Sequence, residues 1–384
     1  MTKLLAAITL LAAGCLAADD TYLPWEGGAA HYKRWKNGPS ADDAYFPIAV
    51  WLQSPRNAEA YKAIGINLYV GLWRGPNDDQ LKELEASGMP VLAGFKERLA
   101  YRGILRGWTM MDEPDNAQPK PGGGYGSCVL PPAIAEQYRA WKAADPSRPV
   151  YLNVGQGVAN EAYKGRGSDC ARHDEHYAEY IKATDIISYD IYPVNSGYPL
   201  WWTGKGVDRL RQWANYEKPV WNWIEASSIR GEGKPTGAQI KAQVWMSIIH
   251  GSMGIGYFCH QFKPVSDEAA PLHDAAIKQA LKEINGQVTS LARVLNTRSV
   301  ANGVTVKSSN TEVPVDTMLK RHGGETYLFA IGARPGATSA KFAMREMGNF
   351  QVTVIGENRT LQARNGQFED HFGEYEVHLY RIRN

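Results

Sequence analysis

The chain has 384 residues, and without a leader of about 18 it would retain roughly 366, which predicts a large domain followed by a smaller one. Its 42 Lys and Arg residues nearly balance its 40 Asp and Glu residues, so the formal net charge is only +2. This balance argues against nucleic acid as the main partner, because phosphate binding needs a concentrated basic surface. Hydrophobic residues make up 44% and charged residues 21% of the chain, which indicates a packed core rather than disorder.

The first 18 residues predict a secretory signal. Lys3 supplies the positive start and residues 4–13 supply the apolar run, which is too short to span a bilayer. Residues 11–15 also resemble a lipoprotein box in which Cys15 would be lipidated, although Ala12 stands where that pattern prefers Leu. Two alternatives stay open: free export to the periplasm or medium after cleavage following Ala18, or a lipid anchor at Cys15 on the bacterial cell surface. We expect no transmembrane segment.

Three further cysteines follow the leader. Cys128 and Cys170 stand in polar, Gly-rich segments, whereas Cys259 stands in an apolar run. In an exported protein this arrangement predicts a disulfide bond between Cys128 and Cys170, with Cys259 as a buried free thiol. No spacing among the cysteines fits a zinc site, and we expect no metal or organic cofactor.

Short apolar, β-branched or aromatic runs alternate with amphipathic segments through the first two thirds of the chain. Eight such runs predict strands at residues 45–52, 66–73, 91–95, 104–111, 150–154, 186–192, 220–224 and 255–258. The segments between them predict helices, among them 56–64, 78–87, 131–144, 176–182, 207–216 and 237–250. Eight alternations with strands that are apolar on both faces predict a (β/α)₈ TIM barrel over residues 19–296, including an N-terminal approach.

The pattern changes after residue 296. Short alternating runs are separated by turn residues, and the dipeptides Gly323-Gly324 and Asn365-Gly366 are hairpin signals. Residues 297–384 therefore predict a C-terminal antiparallel β-sandwich. All 12 tryptophans of the chain precede this segment, and aromatic rings of this kind suit both large cores and the stacking of sugar rings.

Acidic residues end two of the predicted barrel strands. Asp112, Glu113 and Asp115 follow strand four, and Glu225 follows strand seven. Because active sites of barrels form at the carboxyl ends of the strands, these carboxylates are expected at one mouth. Two carboxylates on either side of one bond are what glycoside hydrolysis requires, one as a proton donor and one as a nucleophile or base.

This order of strands and acids resembles the clan A glycoside hydrolases, retaining (β/α)₈ enzymes with an acid/base Glu after strand four and a nucleophile Glu after strand seven. By position, the resemblance implies Glu113 as the acid/base and Glu225 as the nucleophile. The family pattern at strand four is usually Asn-Glu-Pro, whereas this chain has Asp112 in place of the Asn. An ionised Asp cannot donate a hydrogen bond to the sugar, so Asp112 would accept one or hold another group. In the family a Tyr after strand six commonly hydrogen-bonds the nucleophile, and Tyr189 or Tyr192 occupies that place.

Other side chains near strand ends and in long loops are expected to bind the substrate. These are Asp112, Trp51, Trp73, Lys96, Asn153, Gln156, Tyr189, Asp190, Tyr192, Trp201, Trp202, Trp223 and His260. Trp201 and Trp202 are the predicted stacking platforms, because loop aromatics have less core to fill. Trp221 and Trp223 are expected to point to opposite sides of strand seven.

Together these features predict a retaining glycoside hydrolase that cleaves β-glycosidic bonds in a poly- or oligosaccharide, with an endo-β-glucanase as the leading interpretation. An exo-acting β-galactosidase-like enzyme is one alternative. The other is a carbohydrate-binding barrel without catalytic activity.

Overall fold

A computed structural model of the chain describes residues 21–24, 28–166, 173–345 and 347–383. The predicted leader, Cys15 and Cys170 lie outside these described residues. No helix in the described ranges combines the length and apolar character needed to cross a membrane.

Eight parallel strands form a closed barrel, which confirms the predicted fold class. The strands are β1 (Ile48–Trp51), β2 (Leu68–Val70), β3 (Val91–Ala93), β4 (Leu105–Thr109), β5 (Val150–Val154), β6 (Ile186–Asp190), β7 (Val220–Glu225) and β8 (Ile255–Phe258). Closure is direct, because Ala49 of β1 pairs with Leu68 on one side and with Gly256 on the other. Nearly all strand residues are buried, as expected for strands covered on both faces.

Helices surround the barrel in the βα order that the sequence predicts. They are α1 (Ala58–Lys62), α2 (Asp78–Ser87), α3 (Pro131–Ala144), α4 (Asp174–Lys182), α5 (Pro193–Ser196), α6 (Trp202–Trp213), α7 (Gly237–Ile249), α8 (Ala270–His273), α9 (Ala275–Ser290) and α10 (Ala292–Leu295). Side chains that cap the first turn set two of the starts, since Asn77 accepts from the backbone of Gln80 and Thr236 accepts from that of Gln239. The predicted start of the helix at 207–216 is too late, because α6 already begins at Trp202.

Aromatic side chains fill the inside of the barrel. Trp221 donates from Nε1 to the hydroxyl of Tyr32, which lies in an N-terminal 3₁₀ helix (Gly28–Arg34). Trp223 packs in the same buried cluster, with its ring edge-on to Trp51 at 5.0 Å between centroids. The expectation that Trp221 and Trp223 point to opposite sides is therefore wrong, because residues two apart on a strand share a face.

Two antiparallel sheets follow the barrel. One has five strands in the order β10 (Val315–His322), β11 (Glu325–Gly332), β16 (Val377–Arg383), β13 (Phe350–Val354) and β14 (Arg359–Ala363). The other has three, in the order β15 (Gln367–Phe372), β12 (Thr338–Met344) and β9 (Val304–Ser308). Gly323-Gly324 joins β10 to β11 as a two-residue hairpin turn. Asn365-Gly366 also forms a tight turn, but the strands that it joins lie in different sheets.

The five-stranded sheet packs on the barrel through helix α7. Phe329 of β11 contacts the ring of Trp245 on α7, with 5.4 Å between centroids. At the same boundary, Arg334 lies over the ring of Trp201 at 3.9 Å from its centroid, and His250 at the end of α7 faces Asp316 of β10. Apolar, cation–π and charged contacts therefore all join the two parts of the chain.

Candidate functional site

Asp112 lies exposed in the barrel mouth, directly beyond the end of β4. Its carboxylate accepts a hydrogen bond from Nδ2 of Asn153 at 2.9 Å, and Oδ1 of Asn153 accepts from the Ser188 hydroxyl at 2.7 Å. Ser188 in turn contacts the Tyr151 hydroxyl, to which Trp223 donates at 2.7 Å. This chain of buried hydrogen bonds across β4 to β7 fixes the orientation of Asp112 at the mouth.

Asp190, the last residue of β6, is the second carboxyl group of this mouth. Burial and the negative charge of Asp112 raise the pKa of Asp190 to about 8, although a hydrogen bond from the Tyr192 hydroxyl at 3.1 Å opposes the increase. Although the Asp112 residue as a whole is exposed, desolvation of its carboxyl group raises its pKa, whereas the hydrogen bond from Asn153 and the charge of Arg166 oppose the increase. Because the Asn153 amide and the Arg166 charge favour an ionised Asp112, we assign the proton at neutral pH to Asp190.

Glu113 is placed differently from its neighbour. Only 7% of its surface is exposed, and its carboxylate forms an ion pair with the guanidinium of Arg166 from the loop after β5. Its φ of 44° lies in the left-handed region that Glu rarely adopts, and such strain clusters at functional sites. The charge-assisted contact with Arg166 holds the Glu113 carboxylate in place.

Glu225 is fully buried at the end of β7, with 0% of its surface exposed. Its carboxylate accepts from the backbone N–H groups of Val194 at 2.7 Å and Asn195 at 2.9 Å, both in α5. The side chains of Asn195 and Gln243 donate to it at 2.7 Å and 3.2 Å. Burial raises the pKa of Glu225, and these donors oppose the increase. In this arrangement the carboxylate holds the start of α5 in place.

Asp115, the third acid after strand four, has a structural role. It is buried beneath the mouth, where it accepts from the backbone N–H of Gly155 at 2.9 Å and from the Tyr177 hydroxyl at 3.0 Å. Burial raises its pKa to about 6. Asp115 therefore links the segment after β4 to the start of the loop after β5 and to helix α4.

The predicted sugar platforms, Trp201 and Trp202, lie at the boundary with the β-sandwich. Trp201 and Trp202 are half-buried, pack edge-on to each other at 6.3 Å, and meet the β-sandwich through Arg334. Rings that the sequence analysis missed line the wall beside Asp190 instead. Phe258 lies 5.1 Å from Tyr192 and 6.2 Å from Phe262 between ring centroids, and Phe262 is 54% exposed.

The other predicted binding residues differ in how accessible they are. Trp73 is 63% exposed at the end of β2, Lys96 is exposed after β3, and Gln156 is half-buried after β5, so each remains accessible from the mouth side. Trp51 and Trp223 are buried inside the barrel, and Tyr189 is buried under α6, where its hydroxyl donates to the carbonyl of Thr203. His260 is half-buried; its ring hydrogen-bonds the carbonyl of Trp51 at 3.2 Å, and burial lowers its pKa.

The states of two cysteines can be compared with the prediction for an exported protein. Cys128 is disulfide-bonded, and Cys259 is a buried free thiol as predicted. The predicted partner of Cys128, Cys170, lies outside the described residues.

No family model and no curated protein matches this chain. Solved structures match it at low identity over nearly the full length. A catalytic mutant of a glycoside hydrolase family 42 β-galactosidase from G. stearothermophilus aligns with a TM-score of 0.56 at 9% identity, over 92% of this chain and 100% of that chain. A family 30 endoxylanase from Clostridium papyrosolvens aligns with a TM-score of 0.50 at 12% identity, over 95% and 98%. A maltogenic α-amylase from Thermotoga neapolitana aligns with a TM-score of 0.50 at 12% identity, over 88% and 98%. The chain therefore has the fold of the TIM-barrel glycoside hydrolases.

Proposed function

We propose that the protein is a glycoside hydrolase that acts on a poly- or oligosaccharide, with Asp190 as the proton donor and Asp112 as the ionised carboxylate. The observation that carries this proposal is the placement of two carboxyl groups beyond the carboxyl ends of β4 and β6, an exposed Asp112 and a half-buried Asp190 whose pKa the charge of Asp112 raises. Paired carboxyl groups whose pKa values are pushed apart can divide the roles of acid and base.

The chemistry follows from the two protonation states. Asp190, with a pKa of about 8, keeps its proton at neutral pH and transfers it to the glycosidic oxygen as the bond from that oxygen to the anomeric carbon breaks. Asp112 then either attacks the anomeric carbon or removes a proton from the water that attacks it. The anomer of the first product distinguishes these routes, because only a covalent intermediate returns the original configuration.

The roles predicted from the resemblance, Glu113 as acid/base and Glu225 as nucleophile with retention at a β-linked sugar, stay a prediction. In the described arrangement Arg166 pairs with Glu113, and α5 covers Glu225.

The structural neighbours support a carbohydrate substrate and leave the bond type to experiment. One is a β-galactosidase, one an endoxylanase and one a maltogenic α-amylase, so both α- and β-acting enzymes share this fold. The exposed rings of Trp73 and Phe262 give the mouth apolar faces on which sugars can stack. Endo action on a β-glucan is our leading proposal, and exo action in the manner of a β-galactosidase is the alternative.

The experiment is a screen of the purified protein against α- and β-linked polysaccharides and aryl glycosides, with detection of new reducing ends. On the best substrate, Asp190→Asn and Asp112→Asn should each reduce kcat by about 10²- to 10⁴-fold. Glu97→Gln is the matched control, because Glu97 is an exposed carboxylate after β3 and should leave kcat unchanged.

The Glu113→Gln and Glu225→Gln variants distinguish the two assignments. Our assignment expects unfolding temperatures to change in these variants, with turnover less affected than in the Asp variants. Full activity of Asp190→Asn would overturn our assignment. Rescue of a Glu225→Ala variant by azide, with inversion of the product, would overturn our assignment in favour of Glu225 as the nucleophile.

A carbohydrate-binding barrel without catalysis is the second candidate, and the presence of Asp112 where the clan A pattern has Asn favours it. Affinity electrophoresis in gels that contain each polysaccharide measures binding independently of cleavage. Retardation by a glycan that yields no reducing ends at any pH from 4 to 9 would support this second candidate and end the hydrolase proposal.

We also propose export. The disulfide bond at Cys128 is typical of oxidising compartments. Mass spectrometry of the mature N-terminus would separate cleavage after Ala18 from acylation at Cys15, and a cytosolic protein that retains Met1 would contradict both.

A further inference from the structure

Two histidines and a glutamate meet at the start of helix α4, away from the carboxylates of the mouth. Each of His173, Glu175 and His176 offers one ligand atom, and these atoms all lie within 4.8 Å of one another. His173 and Glu175 are exposed and His176 is half-buried. The cluster is therefore open to an ion from solvent on one side and backed by protein on the other.

The side chains are already oriented toward each other. The imidazole rings of His173 and His176 stack with 4.6 Å between centroids and 26° between planes. Nδ1 of His173 lies 2.9 Å from a carboxylate oxygen of Glu175, so the carboxylate fixes the direction of that ring. Little side-chain freedom would be lost when these three groups close on an ion.

His176 supplies an independent observation. Its Nδ1 atom is buried and has no hydrogen-bond partner within the described part of the chain. Buried polar atoms in folded proteins are nearly always satisfied, and an exception calls for an explanation such as an absent ion. Asp174, the remaining acid of this turn, is engaged elsewhere by Arg209 at 2.7 Å.

Charge explains why a carboxylate is needed here. The start of a helix carries a partial positive charge that disfavours a cation. Among the described ion pairs, Glu175 forms one with His173, so its negative charge remains next to the imidazoles. The carboxylate offsets the helix dipole at the point where an ion would sit.

We propose that His173, Glu175 and His176 bind a Zn²⁺ ion, with water in the remaining position. Two imidazoles and one carboxylate are a donor set that zinc accepts in tetrahedral geometry. The same set disfavours Mg²⁺ and Ca²⁺, which prefer oxygen ligands only. The site is independent of the proposed hydrolase activity and departs from the expectation that no metal binds.

The site is connected to the segment that carries the mouth carboxylates. Tyr177 follows His176 directly, and its hydroxyl donates to Asp115 at 3.0 Å beneath the end of β4. A zinc ion at the first turn of α4 would restrain the residue that holds Asp115. Binding should therefore stabilise the native state by the linkage between ligand affinity and folding.

The test is isothermal titration calorimetry of the full chain, stripped with EDTA, with ZnCl₂ as the probe. We expect one saturable site in the wild type and no comparable heat with MgCl₂ or CaCl₂. The variants His173→Ala and His176→Ala should each weaken Zn²⁺ binding by at least 10- to 100-fold, the loss typical when even an outer partner of a zinc ligand is removed.

His273→Ala is the matched control. His273 is also an exposed histidine that hydrogen-bonds a carboxylate, Asp267, at 2.7 Å, but it is outside the three-residue cluster. Zinc affinity in this variant should equal that of the wild type. A thermal-shift assay with and without ZnCl₂ should show stabilisation in the wild type and in His273→Ala, and none in His176→Ala.

Two results would overturn the proposal. One is the absence of saturable Zn²⁺ binding to the wild type, and the other is unchanged affinity in His176→Ala. If a histidine variant does not fold, anomalous diffraction at the zinc edge from wild-type crystals decides the question, because a peak must lie between His173, Glu175 and His176. A peak elsewhere, or none, contradicts the site.

Discussion

His250 joins the barrel to the β-sandwich through two carboxylates, and this contact should make stability depend on pH. Nδ1 of His250 lies 2.8 Å from Asp208 on α6, and Nε2 lies 3.2 Å from Asp316 on β10. The carbonyl of His250 also accepts from Arg211 at 2.9 Å. Burial alone would lower the pKa of His250, but the hydrogen bonds and charges of the two Asp residues raise it to about 9 from an ordinary value of 6.5.

Because folding raises the pKa of His250, protonation of this side chain stabilises the folded state. A histidine whose pKa rises from 6.5 to about 9 on folding stabilises the folded state by roughly 3 kcal/mol when it is protonated in both states. Side-chain exposures of 45% for Asp208 and 36% for Asp316 allow water to screen the pair, so we expect about 2 kcal/mol. This stabilisation is complete below pH 6.5 and is lost as the pH rises toward 9.

Urea unfolding of the wild type and of His250→Gln at pH 6, 7, 8, 9 and 10 measures the effect, because titrations that the substitution does not alter cancel in the difference. We expect the variant to be less stable by about 2 kcal/mol more at pH 6 than at pH 10. Asp316→Asn should show part of the same pH dependence. His273→Gln, at an exposed histidine paired with Asp267, is the control and should show little of it.

A difference between wild type and His250→Gln that stays constant from pH 6 to 10 would refute this reasoning. So would a difference that grows as the pH rises, since that result requires a neutral His250 in the folded state at pH 6.

Two further predictions rest on single contacts. The Tyr192→Phe substitution removes a hydrogen bond that lowers the pKa of Asp190. The basic limb of the pH profile of kcat/KM should therefore move to higher pH. An unchanged basic limb would argue against Asp190 as the acid. A Cβ at Gly206 would overlap the ring of Tyr189, whereas one at Gly286 on α9 meets nothing within 4 Å. Gly206→Ala should therefore lower the free energy of unfolding by about 1–3 kcal/mol. Gly286→Ala should raise the free energy of unfolding by about 0.5–1 kcal/mol. Equal effects of the two substitutions in urea titrations would contradict the close approach of Tyr189 to Gly206.

Local sequence patterns were sufficient for the order of the eight barrel strands. The helices α2 and α3 match the predicted ranges 78–87 and 131–144 at both ends, because local signals mark their starts: Asn77 caps α2, and Pro131 occupies the first position of α3. Strand β15 was missed, since only Phe368 and Phe372 are buried in it and polar residues separate them. A short run with so few apolar residues carries little strand signal.

The sequence by itself placed Asp112, Glu113 and Glu225 at strand ends, since the alternation of strands and helices sets which residues reach the barrel mouth. Only the tertiary structure decided which of them reaches solvent. Arg166 and the start of α5, both distant in sequence, cover Glu113 and Glu225 respectively. The physical reason is that side-chain direction and pKa depend on charges and hydrogen bonds from loops that no local pattern relates to the strands they contact.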